Sequence, residues 1–305
     1  MVHSPVLVKE VLNYLNPQPN QNFIDCTIGD GGHAIAVLER LGPKGRLLGI
    51  DLDPEAIKDA QARLSAANFQ DRVILVNDNF KNLASIVAQY NFFPVQGVLL
   101  DLGFSSSTLE RGRGFSFEKD EPLDMRFNPK EERETAAAIV NRWSESQLTM
   151  ILKEYGEEPL ANQIAKAIVI RRKKERILTS QQLSEIVLEV YRKKLKSKKK
   201  IPWIGGIHPA TRTFQALRIT VNEELQNLQE VLPKAIEVLE LGGRLAVISF
   251  HSLEDKIVKN FFKDENEKSL EIITKKPIIP SEEEIKINPR ARSAKLRVAE
   301  KIENI

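Results

Sequence analysis

Asp25-Cys26-Thr27-Ile28-Gly29-Asp30-Gly31-Gly32-His33 decides how this chain is read. The apolar pair Phe23-Ile24 leads into it, and the helix-compatible run Ala34-Ile35-Ala36-Val37-Leu38-Glu39 leads out. An apolar strand, a glycine-rich turn and a helix form the entry to a nucleotide-type pocket in a Rossmann-like sheet. Glycine serves there because the backbone takes positive φ or lets a ligand approach bare backbone. The first turn of the helix presents N–H groups that have no intrahelical partner. An ordinary tight strand–helix turn uses the same residues, so the turn alone does not assign a function.

The spacing separates two cofactor classes. A dinucleotide site reads G-x-G-x-x-G and sets a pyrophosphate on the helix N-terminus. Here the spacing is Asp25-x-Thr27-x-Gly29-x-Gly31. An acid closing the first strand repels a pyrophosphate and suits a cationic ligand such as S-adenosylmethionine, with its ammonium and sulfonium.

Further strands carry polar groups at the same place. Arg46-Leu47-Leu48-Gly49-Ile50 reads as the second strand and ends in Asp51, about 20 residues beyond Gly31, where an acid takes the ribose hydroxyls. Asp51 could instead cap the helix starting Pro54-Glu55-Ala56, but Asp53 fills that role. The third strand, Val73-Ile74-Leu75-Val76, is followed by Asn77-Asp78-Asn79-Phe80, a set that could bracket an adenine by its edge and its face. Phe80 could equally staple the next helix to the core. The fourth strand, Gly97-Val98-Leu99-Leu100, delivers Asp101. Ligands of such sheets bind outside the carboxyl ends of strands where the strand order reverses, so this series weighs more than one turn.

With 305 residues, 42% hydrophobic and 29% charged, the chain supports one large domain or a domain with an insertion. Its single cysteine, Cys26, excludes an intrachain disulfide framework and fits a reducing cytoplasm. It reads as a buried strand thiol, with no base nearby. No export leader or membrane-length apolar run is evident, so a cytoplasmic protein without membrane attachment is expected. Net charge is only +3, but the cations cluster. One block is Arg171-Arg172-Lys173-Lys174-Glu175-Arg176, and a second is Arg192-Lys193-Lys194 with Lys196 and Lys198 to Lys200. Arg290, Arg292, Lys295 and Arg297 form a third. Such clusters point to a polyanion, nucleic acid first among them, although a solvated helix face or loop has the same composition.

Residues 6–15 have helical spacing, ended by Pro17 and Pro19. Residues 106–134 interleave Gly, Arg, Phe and Asp, a mixture suited to stacking on bases and contacting phosphates. Helical spacing then runs from Thr135 to about Lys196, resumes from Ala210 and continues to Leu241, where Gly242-Gly243 stops it. Arg244 to Ser249 is a fifth strand, and Leu270 to Thr274 and Ala294 to Val298 are two more. The expected organisation is a Rossmann-like domain of residues 1–105 and 210–305 around an inserted, mainly helical substrate-recognition domain of 106–209.

These residues carry a family resemblance. The sequence resembles the bacterial 16S ribosomal RNA cytosine-N4 methyltransferases at His3-Ser4-Pro5-Val6-Leu7, Gly29-Asp30-Gly31-Gly32-His33, Asp51-Leu52-Asp53-Pro54-Glu55-Ala56 and Leu100-Asp101-Leu102-Gly103. Similarity continues in Arg113-Gly114-Phe115-Ser116-Phe117, Leu123-Asp124-Met125-Arg126, Tyr155-Gly156-Glu157-Glu158, His208 to Ala216, Phe250 to Asp255 and Asn288 to Ser293. The resemblance implies a class I methyltransferase sheet of seven strands with a helical insertion. It implies methyl transfer from S-adenosylmethionine to the exocyclic N4 of a decoding-centre cytosine in the small ribosomal subunit. It implies cofactor contacts at Gly31, Gly32, His33, Asp51, Phe80 and Asp101, and one more at Thr108. The family has Ser-Ser-Pro-Gln where this chain has Ser105-Ser106-Ser107-Thr108, so a hydroxyl replaces an amide. Gln96 also replaces an acid usual before the fourth strand.

A cytosine N4 is a poor nucleophile because its lone pair is delocalised into the ring. An acceptor on its N–H offsets the positive charge that develops during attack, and in-line positioning supplies much of the rate. Asp101 is the catalytic candidate, its alternative role being only to hold the cofactor. No metal is expected, since His3, His33, His208 and His251 show no ligand spacing. Ser249, His251 and Asp255 invite a hydrolase reading, but no G-x-S-x-G elbow is present. Two other readings compete: a methyltransferase acting on DNA or a small molecule, and a non-catalytic ribosome-assembly factor. The basic clusters oppose a small substrate, and the intact turn with Asp51 opposes loss of catalysis. A homodimer is compatible with the sequence.

Overall fold

The computed structural model describes residues 5–104, 106–196 and 207–302. His3, Ser105 and the lysines Lys198, Lys199 and Lys200 lie outside the described residues. The chain divides into two compact units, residues 1–105 with 225–305 and residues 106–224.

The first unit begins with α1 (Val8–Leu15), β1 (Asn22–Asp25), α2 (Gly32–Arg40), β2 (Arg46–Asp51), α3 (Pro54–Ala66), β3 (Val73–Asn77), α4 (Leu83–Gln89) and β4 (Gly97–Asp101). The second unit is inserted after β4. It holds α5 (Ser106–Glu110), α6 (Ala136–Arg142), α7 (Glu145–Glu154), α8 (Ala161–Arg172), α9 (Ser180–Leu195) and α10 (Thr211–Asn222). The chain then closes the first unit with α11 (Glu224–Val238), β5 (Arg244–Ser249), α12 (Ser252–Glu265), β6 (Leu270–Ile272), α13 (Glu282–Ile287) and β7 (Lys295–Lys301).

One seven-stranded sheet runs in the order β3-β2-β1-β4-β5-β7-β6. β1 to β5 are parallel, and β7 lies antiparallel between β5 and β6. The order reverses between β1 and β4, which is the topological switch point. Alternation along each strand splits the core in two. Ile24, Leu48, Ile50, Val98, Leu100, Leu245 and Val247 face α4, α11 and α12. Phe23, Leu47, Leu99, Ala246, Ile248 and Leu296 face α1, α2 and α3. Helices on both faces explain why these strands read as continuous apolar runs. β6 and β7 pair as expected, but a long connection carrying α13 joins them rather than a tight turn.

The second unit has its own core, in which Ile139, Leu152, Ile164, Ile168 and Val187 pack together. Two expectations need correction here. The helical spacing from 210 to 241 is not one helix, because Glu223 adopts a left-handed φ of 52° and separates α10 from α11. The domain boundary therefore falls at 224/225, not at 209/210. The reason is burial: Phe214, Ala216, Leu217 and Val221 of α10 lie in the core of the helical unit, against α6 and α7.

Candidate active site

The turn after β1 is tied to both neighbouring strands. Cys26 N–H donates to Leu99 O at 2.9 Å and Ile28 N–H to Ile50 O at 2.9 Å. The Thr27 hydroxyl accepts the Asp101 N–H at 2.6 Å, which fixes the end of β4 against the turn. Gly29 and Gly31 hold φ of +54° and +82°, the left-handed region that favours glycine. Gly31 is the N-cap of α2, and a Cβ on Gly32 would stand 2.8 Å from Pro5 Cγ. The glycines thus shape the turn and let the N-terminal segment pack against it.

The strand-end acids occupy distinct environments. Asp51 accepts the Gly29 N–H at 2.9 Å through Oδ2 and the Asp53 N–H at 2.9 Å through Oδ1. Asp53, not Asp51, caps α3 by accepting from Glu55 N–H. Asp25 is 3% exposed and accepts the Thr27 N–H at 3.1 Å. Burial pushes its carboxyl up to about 7, against the lowering effects of His33 and the Thr27 N–H, with Asp101 and Asp51 adding to the rise. His33 is 5% exposed, and its Nε2 stands 3.4 Å from Asp101 Oδ2, an ion-pair contact rather than a formed hydrogen bond. Burial alone would lower its pKa, but Asp101, Asp25 and Asp30 together hold it above the ordinary value. Asp101 Oδ1 and His33 Nδ1 are buried with no hydrogen-bond partner among the described residues. A buried acceptor left without a partner carries a desolvation cost.

Three carboxylates, Asp25, Asp51 and Asp101, therefore close adjacent strands around one turn. This set fits the ammonium, sulfonium and ribose hydroxyls of S-adenosylmethionine and would repel a pyrophosphate. Gly31, Gly32, His33, Asp51 and Asp101 all lie in the turn after β1 or beside it at the ends of β2 and β4. His33 turns its ring toward Asp101, so its first-turn N–H is the group left to a ligand. Phe80 follows β3 and packs on the sheet core as a half-buried ring. The Asn77 amide donates to Asp51 O and Leu52 O, and the Asn79 amide oxygen accepts from Lys81 N–H. Those two amides thus brace the backbone, and Asp78 does the same, its Oδ1 accepting the Asn79 N–H at 2.6 Å and the Asn82 amide at 2.9 Å, which leaves the Phe80 ring as the member of the set with no hydrogen-bonding duty. Thr108, 4% exposed, belongs to the helical unit. Gln96 pairs with the Asn22 backbone at the opposite ends of β1 and β4, accepting at 2.8 Å and donating at 2.9 Å. Thr27, the cross-strand anchor, escaped the sequence reading, and Asp25 was read only as a strand-end acid, without its burial.

Several other candidates are occupied elsewhere. Ser249 Oγ reaches Lys295 O, His251 caps α12, and Asp255 pairs with Arg297 and Lys295, so no hydrolase triad forms. The Cys26 thiol is buried, and burial raises its pKa well above the ordinary value. In 106–134 the aromatics mostly serve the core rather than an RNA surface. Phe115 stacks on Phe127 at 5.6 Å, and Phe117 stacks on His208 at 4.4 Å. Arg113 donates to Phe127 O and Arg126 grips Asp124. No helix among the described residues is long and apolar enough to cross a membrane.

Residues 1–302 match the model of a family described as the MraW methylase family. A "Ribosomal RNA small subunit methyltransferase H" of Persephonella marina is 47% identical over 301 residues, covering 98% of this chain and 99% of that one. The protein of the same name from Heliobacterium mobile is 46% identical over 318 residues, with 98% and 99% covered. That of Dictyoglomus thermophilum is 47% identical over 307 residues, with 99% and 98% covered.

Proposed function

Because this chain belongs to the MraW methylase family, we propose that Asp101 is the acceptor for its target amine. The chain is an S-adenosylmethionine-dependent methyltransferase, and its reaction places a methyl group on the exocyclic N4 of a cytosine in the decoding centre of 16S ribosomal RNA. When bound, the cofactor supplies a methyl carried on a sulfonium, which leaves as a neutral thioether. The N4–carbon bond forms as the carbon–sulfur bond breaks, and N4 gives up one proton.

The observation that supports Asp101 is that its Oδ1 has no hydrogen-bond partner among the described residues, on a side chain 23% exposed at the β1/β4 switch point. Oδ1 accepts one N4 N–H, favouring the rehybridisation that exposes the lone pair, and takes the proton as the amine becomes cationic. His33 Nε2, beside Oδ2, gives the carboxylate a partner on its other oxygen. Thr27 holds the Asp101 backbone, so the acceptor is positioned before substrate arrives. Gly31, Gly32 and the first turn of α2 hold the cationic end of the cofactor, Asp51 the ribose and Phe80 the adenine face. On the same reading the helical insertion recognises substrate, and the chain works in the cytoplasm without a membrane. A homodimer is compatible with this reading and not required by it.

Asp101→Ala and Asp101→Asn test the assignment. An interaction made in the transition state lowers kcat, whereas lost cofactor grip is restored by more cofactor. Asp101→Ala is expected to stay slow at saturating cofactor, with partial recovery in Asp101→Asn, which keeps an acceptor oxygen but loses the charge. Near-normal single-turnover methylation by Asp101→Ala at saturation would leave Asp101 only a binding role.

A further inference from the structure

A cleft of about 300 Å³ lies in the sheet unit, beyond the carboxyl end of β5. Phe250, Ile279 and Pro280 form apolar walls, and Arg292, Ser293 and Lys295 form a polar one. The volume is at the low end of small-molecule sites and suits a single nucleobase with part of its backbone. No carboxylate stands among its described lining residues. Asp255, outside the lining, faces Arg297 at 2.7 Å and Lys295 at 3.3 Å, so one carboxylate answers two cations. Arg292 is exposed and adds a third. Ile279 is 66% exposed, an aliphatic surface offered beside cations.

The location ties this cleft to the methylation site. Asp101 pairs with Ile248 across β4 and β5, and Phe250 follows two residues later. A Cβ on Gly103, two residues past Asp101, would stand 3.6 Å from the Phe250 ring. The residues assigned to the cofactor extend from Asp101 toward β1, β2 and β3, whereas the cleft extends from Asp101 toward β5 and β7. This second side is the one that the residues assigned to the cofactor leave to a polynucleotide presenting a base to Asp101.

Resting on the cytosine-N4 reading, we propose that this cleft holds the ribonucleotide next to the target cytosine. Its base lies against Phe250, Ile279 and Pro280, and its phosphate is held by Arg292 and Lys295. Stacking on one ring and an aliphatic wall tolerates any base, while the cations read the backbone. The cleft therefore sets the register of the RNA strand and leaves the choice of base to the Asp101 side.

The test uses full-length protein with Arg292→Gln and Ile279→Ser, both exposed positions, on unmodified small ribosomal subunits and on protein-free 16S rRNA. Each variant is expected to weaken binding to both RNAs by on the order of tenfold, with cofactor affinity by calorimetry unchanged. Arg292→Gln is also expected to flatten the dependence of log affinity on log salt by about 0.7, the share of one single-strand phosphate. Unchanged affinity and slope, while the wild type still forms N4-methylcytidine, overturn the cleft and leave the reaction standing. Weakening on subunits but not on free rRNA means a ribosomal protein occupies the cleft, which also overturns the proposal. If the wild type forms no N4-methylcytidine in either RNA, the reaction reading fails and the cleft assignment fails with it.

Discussion

Asp51 shapes the turn at the place where the proposed function puts the ribose. Its carboxylate has about four acceptor directions, and the Gly29 and Asp53 N–H groups use two of them to shape the turn. On the proposed function the same carboxylate also takes the ribose hydroxyls. Asp51→Ala is expected to weaken cofactor binding by about tenfold to a hundredfold, the worth of a charged hydrogen bond of roughly 1.5–3 kcal/mol. Calorimetry on the folded variant checks this, and an unchanged affinity removes Asp51 from the site. What was legible is its strand-end position and that Asp53, not Asp51, caps α3. Asp25 was legible as an acid but not as a buried one. With its carboxyl raised to about 7, the folded chain binds one more proton than the unfolded chain from about pH 4 to 7. Folding stability therefore falls as pH rises through that window. His33, held above its ordinary value, adds a slope of the same sign above about 6.5. The groups facing Asp25 are His33, the Thr27 N–H, Asp101 and Asp51. Denaturant titration of the cofactor-free protein is expected to show a smaller loss between pH 5 and 8 in Asp25→Asn than in the wild type. Equal losses would mean Asp25 titrates normally.

At the scale of elements, the strands and the glycine turn were readable because their chemistry is local: apolar runs, an acid, glycines at positive φ. The break between α10 and α11 was not, because Glu223 is an ordinary helix residue and no Gly or Pro marks the left-handed turn it makes. What ends α10 is tertiary. The buried Asn222 side chain accepts the Phe127 N–H at 2.8 Å and donates to Met125 O at 2.8 Å. Met125 itself holds φ of 64°, so this loop is shaped by the clamp. The aromatics of 106–134 misled for a related reason: sequence shows Phe beside Arg, but only packing shows Phe115 and Phe127 stacked on each other. Asn222→Ala leaves two backbone groups of the loop without partners, at about 1–3 kcal/mol each. Hydrogen exchange is expected to show faster exchange at Phe127 and across α10, while β1 and β4 keep their protection. Unchanged exchange at Phe127 would show that the clamp carries no stability.

For the whole molecule, the order of the strands came from the fold, whereas the seven strands and the helical insertion were legible, since a doubly covered parallel sheet writes itself as separated apolar strands. The boundary of the insertion was not, because the α10 side chains that enter the helical core have the same spacing as those of α11 in the sheet core. Charge blocks proved weak guides to surfaces. Arg297 is 8% exposed and paired with Asp255, and Arg172 donates to Val140 O and Trp143 O, yet their neighbours Arg292 and Lys174 are exposed. Sequence counts cations, whereas only the fold tells which are spent inside. What unites the molecule is one reaction at the β1/β4 switch point, a methyl delivered to a cytosine amine in small-subunit RNA. Its most direct test is mass spectrometry of rRNA nucleosides after incubating unmodified small subunits with the protein and isotope-labelled S-adenosylmethionine. The account predicts label in N4-methylcytidine, lost in Asp101→Ala at saturating cofactor. Label in a ring-carbon methylcytidine or in another nucleoside, or no label in RNA from a cofactor-binding protein, would contradict it.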